Sequence, residues 1–334
     1  MSEAKDPESR ERRLLSVIVV NWNTKDLLEN CLTSVATNLA QAPHEIIVVD
    51  NGSTDGSPQW LASRFPQARV IANEQNLGFG RANNQAMELA RGDLLLLLNS
   101  DARLPDGSIC ALAERLRQRP EVGAAGPRLE DANGRLQPSA YRFGSIVLML
   151  VEELGLYKLL PRERAASLLL GGYWSHDAER LVDWVVGACM LVRSEVFRVT
   201  GGFDPGIFLY GEEEEWCGRI AQAGWRILYS PRARVTHLGH QTTKRYLGER
   251  SRVERCLEAS DELLARRSGF AGAVAGPALR VLGALLKLAK VSVLGRFGRT
   301  RPTDDDVRTW AKTVLRYYFR RWRSREPAVE MDLR

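Results

Sequence analysis

The sequence has no Cys-x-x-Cys pair, no apolar run in residues 1–13 and no long charge-free apolar run. Each absence removes a class of protein. The five cysteines, Cys31, Cys110, Cys189, Cys217 and Cys256, are scattered and odd in number. That argues against a disulfide framework and against a zinc site, and it fits a reducing compartment. Residues 1–13 are charged and lack an apolar centre, so they read as a disordered lead-in and not as a secretory signal. The most apolar stretch, Phe270 to Arg296, is interrupted by Pro277, Arg280, Lys287 and Lys290. A spanning helix needs about 20 apolar residues with few charges, so no transmembrane segment is expected. The first expected strand is not followed by Gly-x-Gly-x-x-Gly, which argues against a dinucleotide-dependent oxidoreductase.

What is present is an ordinary globular composition, 334 residues with 44% hydrophobic, enough for one large domain or a domain plus an appendage. Leu94 to Leu98 run straight into Asn99, Ser100 and Asp101. So short an apolar run reads as a strand buried on both faces of a parallel sheet. Ser16 to Val20, Glu45 to Val49 and Val70 to Ala72 read as further strands. Helices are expected from about Lys25 to Leu39 and from about Arg81 to Arg91. Strand and helix alternate with short connections, which favours an α/β, doubly wound, mostly parallel sheet. Ligands of such sheets bind beyond the carboxyl ends of the strands. Asp101 stands there, where a carboxylate can hold a divalent cation against a phosphate. A loop acid capping the next turn is the plain alternative.

The motifs then become specific. Val-Val-Asn-Trp-Asn ends at Asn23, Val-Val-Asp-Asn-Gly-Ser-Thr-Asp-Gly at Gly56, Asn-Leu-Gly-Phe-Gly at Gly80 and Leu-Leu-Asn-Ser-Asp at Asp101. Gly187 to Arg193, Gly201 to Asp204, Phe208 to Glu213, Ala223 to Ile227 and Val235 to His237 follow in order. This set resembles glycosyltransferase family 2, in its rhamnosyltransferase-like branch, over roughly Leu15 to Thr243. The resemblance implies a GT-A fold and a metal-dependent, inverting transfer from a nucleoside-diphosphate sugar, with Mn2+ or Mg2+ as cofactor. L-Rhamnose from dTDP-rhamnose is the implied donor, and a lipid-linked or polysaccharide acceptor in cell-envelope glycan synthesis the implied partner.

By the same resemblance Asp101 and His237 are the metal ligands, with His240 as fallback and a structural histidine as the alternative for His237. In the Glu212 to Glu215 run, Glu213 takes the position of the family's catalytic base, with Glu212 as the alternative. The bland reading is that these acids complement a helix N-terminus. Asp50 is expected to face the nucleobase, with Asn21, Asn51 and Asp55 shaping the pocket. Asn76, Gly78 and Phe79 resemble the loop that closes over the nucleotide, although Phe79 could equally pack in the core. Arg81 replaces a family glycine and could face the diphosphate, followed by Asn83. Asn99 and Ser100 complete the donor set.

Charge is divided unevenly. Residues 1–243 carry a net −4 and residues 244–334 a net +10, together the +6 of the whole chain. The tail therefore suits an anionic partner. Arg280, Lys287 and Lys290 fall on one side of an otherwise apolar helix. A second helix is expected from Thr303, with Arg308, Lys312, Arg316 and Arg320 in an i, i+4 stripe. This pattern fits an anionic membrane surface better than nucleic acid. The bland alternative is two helices packed on the core.

The expected organisation is a lead-in at 1–13, a transferase domain at 14–245 with a variable acceptor region at 138–182, and a basic helical tail at 246–334. The expected location is cytoplasmic, peripheral on the inner face of the cell membrane. A nucleotidyltransferase of sugar phosphates and a non-enzymatic membrane- or glycan-binding module are the competing readings.

Overall fold

A computed structural model describes residues 14–105, 107–239, 248–297 and 302–324. The expected disordered lead-in and His240 lie outside the described residues. In chain order the elements are β1 (Leu15–Asn21), α1 (Lys25–Asn38), β2 (His44–Asn51), α2 (Ser57–Arg64), β3 (Arg69–Asn73) and α3 (Phe79–Leu89). Then come β4 (Leu94–Asn99), β5 (Ala102–Arg103), α4 (Ser108–Arg117), β6 (Val122–Glu130), β7 (Leu136–Gln137), β8 (Ala140–Tyr141), α5 (Ile146–Glu153) and α6 (Arg162–Leu169). The remainder is β9 (Arg180–Val182), β10 (Trp184–Val185), β11 (Cys189–Arg193), α7 (Ser194–Thr200), α8 (Glu212–Gln222), β12 (Arg226–His237), α9 (Gly248–Arg296) and α10 (Asp304–Ser324).

The chain divides into two compact units, one of residues up to Phe143 with Ser175–Thr242, the other of Gly144–Trp174 with Thr243–Arg334. The middle of the variable region thus groups with the tail and not with the sheet.

The first unit is built on a mixed, mostly parallel sheet in the order β3-β2-β1-β4-β11-β6-β12-β5. β1 pairs in parallel with both β2 and β4, and β2 with β3. The five leucines of β4 are all buried, because β1 and β11 flank the strand and helices cover its faces. Leu28, Cys31, Leu32 and Val35 of α1 and Ile109, Leu112, Ala113 and Leu116 of α4 share a core with Leu94, Leu96 and Leu98. Burying each leucine contributes about 1.5–3 kcal/mol, so this strand anchors the unit. Gly92 sits where a Cβ would lie 2.6 Å from the Leu14 carbonyl oxygen, so only glycine lets the chain enter β4.

Two pairings set the site. The register places Asn21 beside Asp50 and Val20 beside Asn99. Antiparallel pairing of β12 with the short β5 puts His237 opposite Ala102.

The second unit is helical. α9 is broken at Gly269, whose φ is +58°. Leu257, Ala284, Ala311, Val314 and Tyr318 form its core. Buried Asp261 accepts hydrogen bonds from the Tyr318 hydroxyl (2.8 Å) and from Arg280 Nε (3.2 Å), tying α10 and the two halves of α9 together. Against the expectation from the whole Phe270–Arg296 stretch, α9 is long and apolar enough to cross a membrane by length and composition, because an 18-residue window within it escapes most of the charges.

Candidate active site

Four polar side chains link the ends of three strands. Asn21, closing β1, donates through Nδ2 to Asp50 Oδ2 at 2.8 Å, and Asp50 Oδ1 accepts from the Ser53 N–H at 2.9 Å. Thr24 donates its hydroxyl to Asn21 Oδ1 at 2.8 Å, so the 2.9 Å contact with Ser100 has Ser100 as donor. All four are buried, and in a low-dielectric interior such a satisfied chain fixes the loops it joins.

Asn51 fastens the next loop. Its Nδ2 donates to Asn76 Oδ1 (2.8 Å) and to the Gly78 carbonyl (3.2 Å), while its Oδ1 accepts from the Leu77 N–H (3.1 Å). Gly78 has φ +87°, and a Cβ there would lie 2.8 Å from the Phe208 carbonyl oxygen, which explains the glycine. Asp55 accepts from the backbone of Lys25 (3.0 Å) and Ser57 (3.1 Å), at the starts of α1 and α2. Burial works the other way, but the bonds from Ser57 and Lys25 hold its carboxyl below the usual range.

The remaining donor candidates spread out. Phe79 is half-buried, with its ring 5.7 Å from that of Phe203. Asn83 is buried in α3, where its Nδ2 donates to the Phe79 carbonyl at 2.9 Å. Arg81 is exposed and donates through Nε to the Pro205 carbonyl at 2.8 Å. Asn51, Asn76 and Gly78 thus meet directly, whereas Arg81 and Asn83 bond within or across the helix scaffold.

Asp101 and His237 are brought together. His237 Nε2 lies 3.3 Å from Asp101 Oδ1, and both side chains are largely buried. Sequence reasoning missed the residue that orients the imidazole. Gln137 donates through Nε2 to the His237 carbonyl (2.8 Å), so its Oε1, 2.9 Å from Nδ1, must accept. That puts a proton on Nδ1, so in the neutral ring the Nε2 lone pair faces the Asp101 carboxylate. Asn99 Nδ2 lies 3.4 Å from the same Nε2. A lone pair facing a carboxylate is the donor set a divalent cation suits, and Gln137 supplies the outer hydrogen bond that ligating histidines usually have. Among the described residues no cluster of three or more His, Cys, Asp or Glu could hold a metal. Two protein donors fit a cation that takes its other ligands from outside the protein, as phosphate oxygens can supply.

The four consecutive glutamates part company. Glu215 pairs with Arg219 through both oxygens (2.8 and 2.6 Å), and Arg219 also donates to the carbonyls of Thr200 and Gly202 (the latter at 2.6 Å). Glu215 therefore serves packing. Glu212 is only 2% exposed, and its Oε2 has no hydrogen-bond partner. Burial, and then the charge of Glu213, push its carboxyl well above the usual range. Glu213 is half-buried, and its Oε1 accepts from the Gly187 N–H at 3.0 Å. Burial raises its carboxyl too, against the backbone N–H bonds. A Cβ on Gly187 would stand 2.9 Å from Glu213 Oε1, so glycine makes that contact possible. Tyr141, stacked on Trp184 at 4.6 Å, has its phenol pushed to about 12 by burial and then by the Glu213 charge.

One backbone link joins the two centres. The Asn99 N–H donates to the Ala188 carbonyl at 3.0 Å, placing Gly187 and its bonded Glu213 next to the strand end that contacts His237.

Residues 16–165 match the family described as Glycosyl transferase family 2. The chain is 30% identical over 256 residues to an N-acetylglucosaminyl-diphospho-decaprenol L-rhamnosyltransferase of Mycobacterium tuberculosis (strain CDC 1551 / Oshkosh), covering 70% of this chain and 78% of that protein. It is 24% identical over 264 residues to a rhamnosyltransferase of Escherichia coli (strain K12), covering 76% and 94%. In fold it is similar to a mannosyltransferase of Pyrobaculum calidifontis solved with GDP-Man and Mn2+, with a TM-score of 0.61, 18% identity and coverage of 94% of this chain and 88% of that one.

Proposed function

The chain belongs to glycosyltransferase family 2, and from that premise we propose that it transfers L-rhamnose from dTDP-rhamnose to a lipid-linked or growing polysaccharide acceptor, with inversion and with a divalent cation. It is a glycosyltransferase of the rhamnosyltransferase-like branch with a GT-A-like fold. The observation that carries the finer reading is the facing pair Asp101–His237, joined through Asn99 and Ala188 to Gly187 and its partner Glu213.

Asp101 and His237 would hold the cation, Mn2+ or Mg2+, which neutralises the leaving diphosphate. Asn51 and Asn76 hold the loop over the nucleotide, while Asn21, Asp50 and Ser100 keep the strand ends in register beneath it. Glu213 is the base. It is half-buried and so within reach of an acceptor, whereas Glu212 is enclosed. The acceptor oxygen forms its bond to the anomeric carbon as the bond to the diphosphate breaks. The hydroxyl proton passes to Glu213, and nucleoside diphosphate leaves. Burial-raised basicity suits a carboxylate for this role near neutral pH. The rhamnosyltransferase relatives, one of them named for a decaprenol-linked substrate, support a lipid-linked acceptor in envelope synthesis. We place the enzyme on the cytoplasmic face of the membrane, with an anionic lipid surface as partner of the basic tail.

The test incubates the full chain with dTDP-rhamnose, Mn2+ and a polyprenyl-diphosphate N-acetylglucosamine. The expected result is dTDP release matched by a rhamnosylated lipid. Transfer only from another nucleotide sugar would overturn the donor assignment. Pyrophosphate release from a nucleoside triphosphate and a sugar phosphate would mark a nucleotidyltransferase instead.

A further inference from the structure

Two of the three cations that interrupt the tail's most apolar segment are paired with carboxylates of the same unit, and the third, Lys290, is exposed. Arg280 donates to buried Asp261 (3.2 Å), and Lys287 pairs with Glu153 of α5 at 2.8 Å while its Nζ lies 4.2 Å from the centre of the Trp310 ring. Gly283 permits this. A Cβ there would crowd the Glu153 carboxylate, so glycine leaves it room beside Lys287.

With those two cations turned inward and neutralised, the opposite side of α9 is apolar. Val274, Ala278, Leu282, Leu285, Ala289 and Val293 recur every three or four residues, and all are exposed. Leu285 is 50% exposed and Val293 52%, values that would be low if another helix of the chain covered them. The stripe runs for about 29 Å of helix with no charged residue in it. Lys290 stands about 100° round the helix from Ala289, at the stripe's edge, and Arg296 closes its end. So long an unbroken apolar surface marks an interaction site.

We infer that this stripe of α9 is a lipid-docking face, laid lengthwise in the acyl region of a bilayer, with attachment driven by apolar burial and not by the basic tail charge. The occupant is lipid and not a second copy, because residues 244–334 carry a net +10 and two such tails repel, while the same charge favours anionic headgroups at the stripe's rim. The inference rests on the proposed lipid-linked acceptor for its purpose and on the exposed stripe for its geometry.

Flotation of the purified full chain with phosphatidylcholine vesicles, with and without anionic lipid, tests it. Binding to both is expected, and it should survive about 1 M salt, where electrostatic attachment is screened. Leu282→Asp/Leu285→Asp should lower partitioning more than about tenfold with the melting temperature unchanged. Ala278→Glu/Ala289→Glu on the same stripe serves as the second pair if the first loses helix content. Complete release by salt, unchanged binding of both pairs, or a dimer that ignores vesicles would overturn the inference. Turnover of dTDP-rhamnose by the same preparations is read separately, so a chain that floats without turnover counts against the proposed chemistry and not against the docking face.

Discussion

His237 Nε2 and Asp101 Oδ1 face each other at 3.3 Å, with the imidazole proton held on Nδ1 by Gln137. Two acceptors at that distance repel unless a cation or a proton stands between them. Asp101→Asn is therefore expected to remove the Mn2+-dependent rise in melting temperature with dTDP and to lower kcat/KM by at least about 10²-fold. Without metal, and at a pH where the imidazole is neutral, the variant should be no less stable than the parent, because the repulsion is relieved. Thermal shift with and without Mn2+ checks both. A full Mn2+ response in the variant would remove Asp101 from the metal site.

Gln137 lies on β7, outside the hydrogen-bonded network of Asn21, Thr24, Asp50 and Ser100, yet it sets the proton on Nδ1 of His237. Gln137→Ala should weaken Mn2+ about 10–100-fold, the usual effect of losing an outer hydrogen bond to a ligating histidine. Gln137→Glu, which keeps an acceptor toward Nδ1, should restore much of that affinity. Mn2+ titration followed by electron paramagnetic resonance reads this without turnover. Equal affinities for the three proteins would leave Gln137 a packing residue.

The first half of this site was legible from residue order, because the five-leucine strand and its Asn-Ser-Asp end admit few folds, and β1 to β4 lie where periodicity placed them. Gln137 was not legible. It lies on the two-residue β7, 100 positions from His237, and only the β6–β12 pairing and the β7 turn bring the two together. The roles within Glu212 to Glu215 were equally hidden, since four identical side chains differ only in what surrounds them. The tail's orientation was half legible. The helical wheel separates Arg280 and Lys287 from the apolar side, but the inward turn of the basic side depends on Asp261 and Glu153, one of them far off in sequence.

Three of the four glutamates can be told apart by amide substitution. Glu213→Gln should reduce kcat by about 10²–10⁴-fold while dTDP binding stays intact, the loss typical of a removed general base. Glu215→Gln should act through stability instead, since it breaks the Arg219 clamp on the carbonyls of Thr200 and Gly202. In the parent, kcat/KM should fall as pH drops through the raised Glu213 carboxyl, because the base must be ionised. A parent-like acid limb in Glu213→Gln would move the role elsewhere.

Glu212 makes the opposite pH prediction. Its folded-state carboxyl is raised well above the unfolded value by burial and by Glu213. Folding therefore favours the protonated acid. The stability this group contributes is full below the unfolded value and is lost as pH rises through the folded one. Glu212→Gln presents a neutral side chain of similar shape at every pH. The variant should match the parent in acid and exceed it increasingly as pH rises through the raised folded value of Glu212. Urea unfolding across the pH range measures the difference. A constant difference would mean that the orphaned Oε2 is hydrated or bound in solution, and that Glu212 stays ionised beside Glu213.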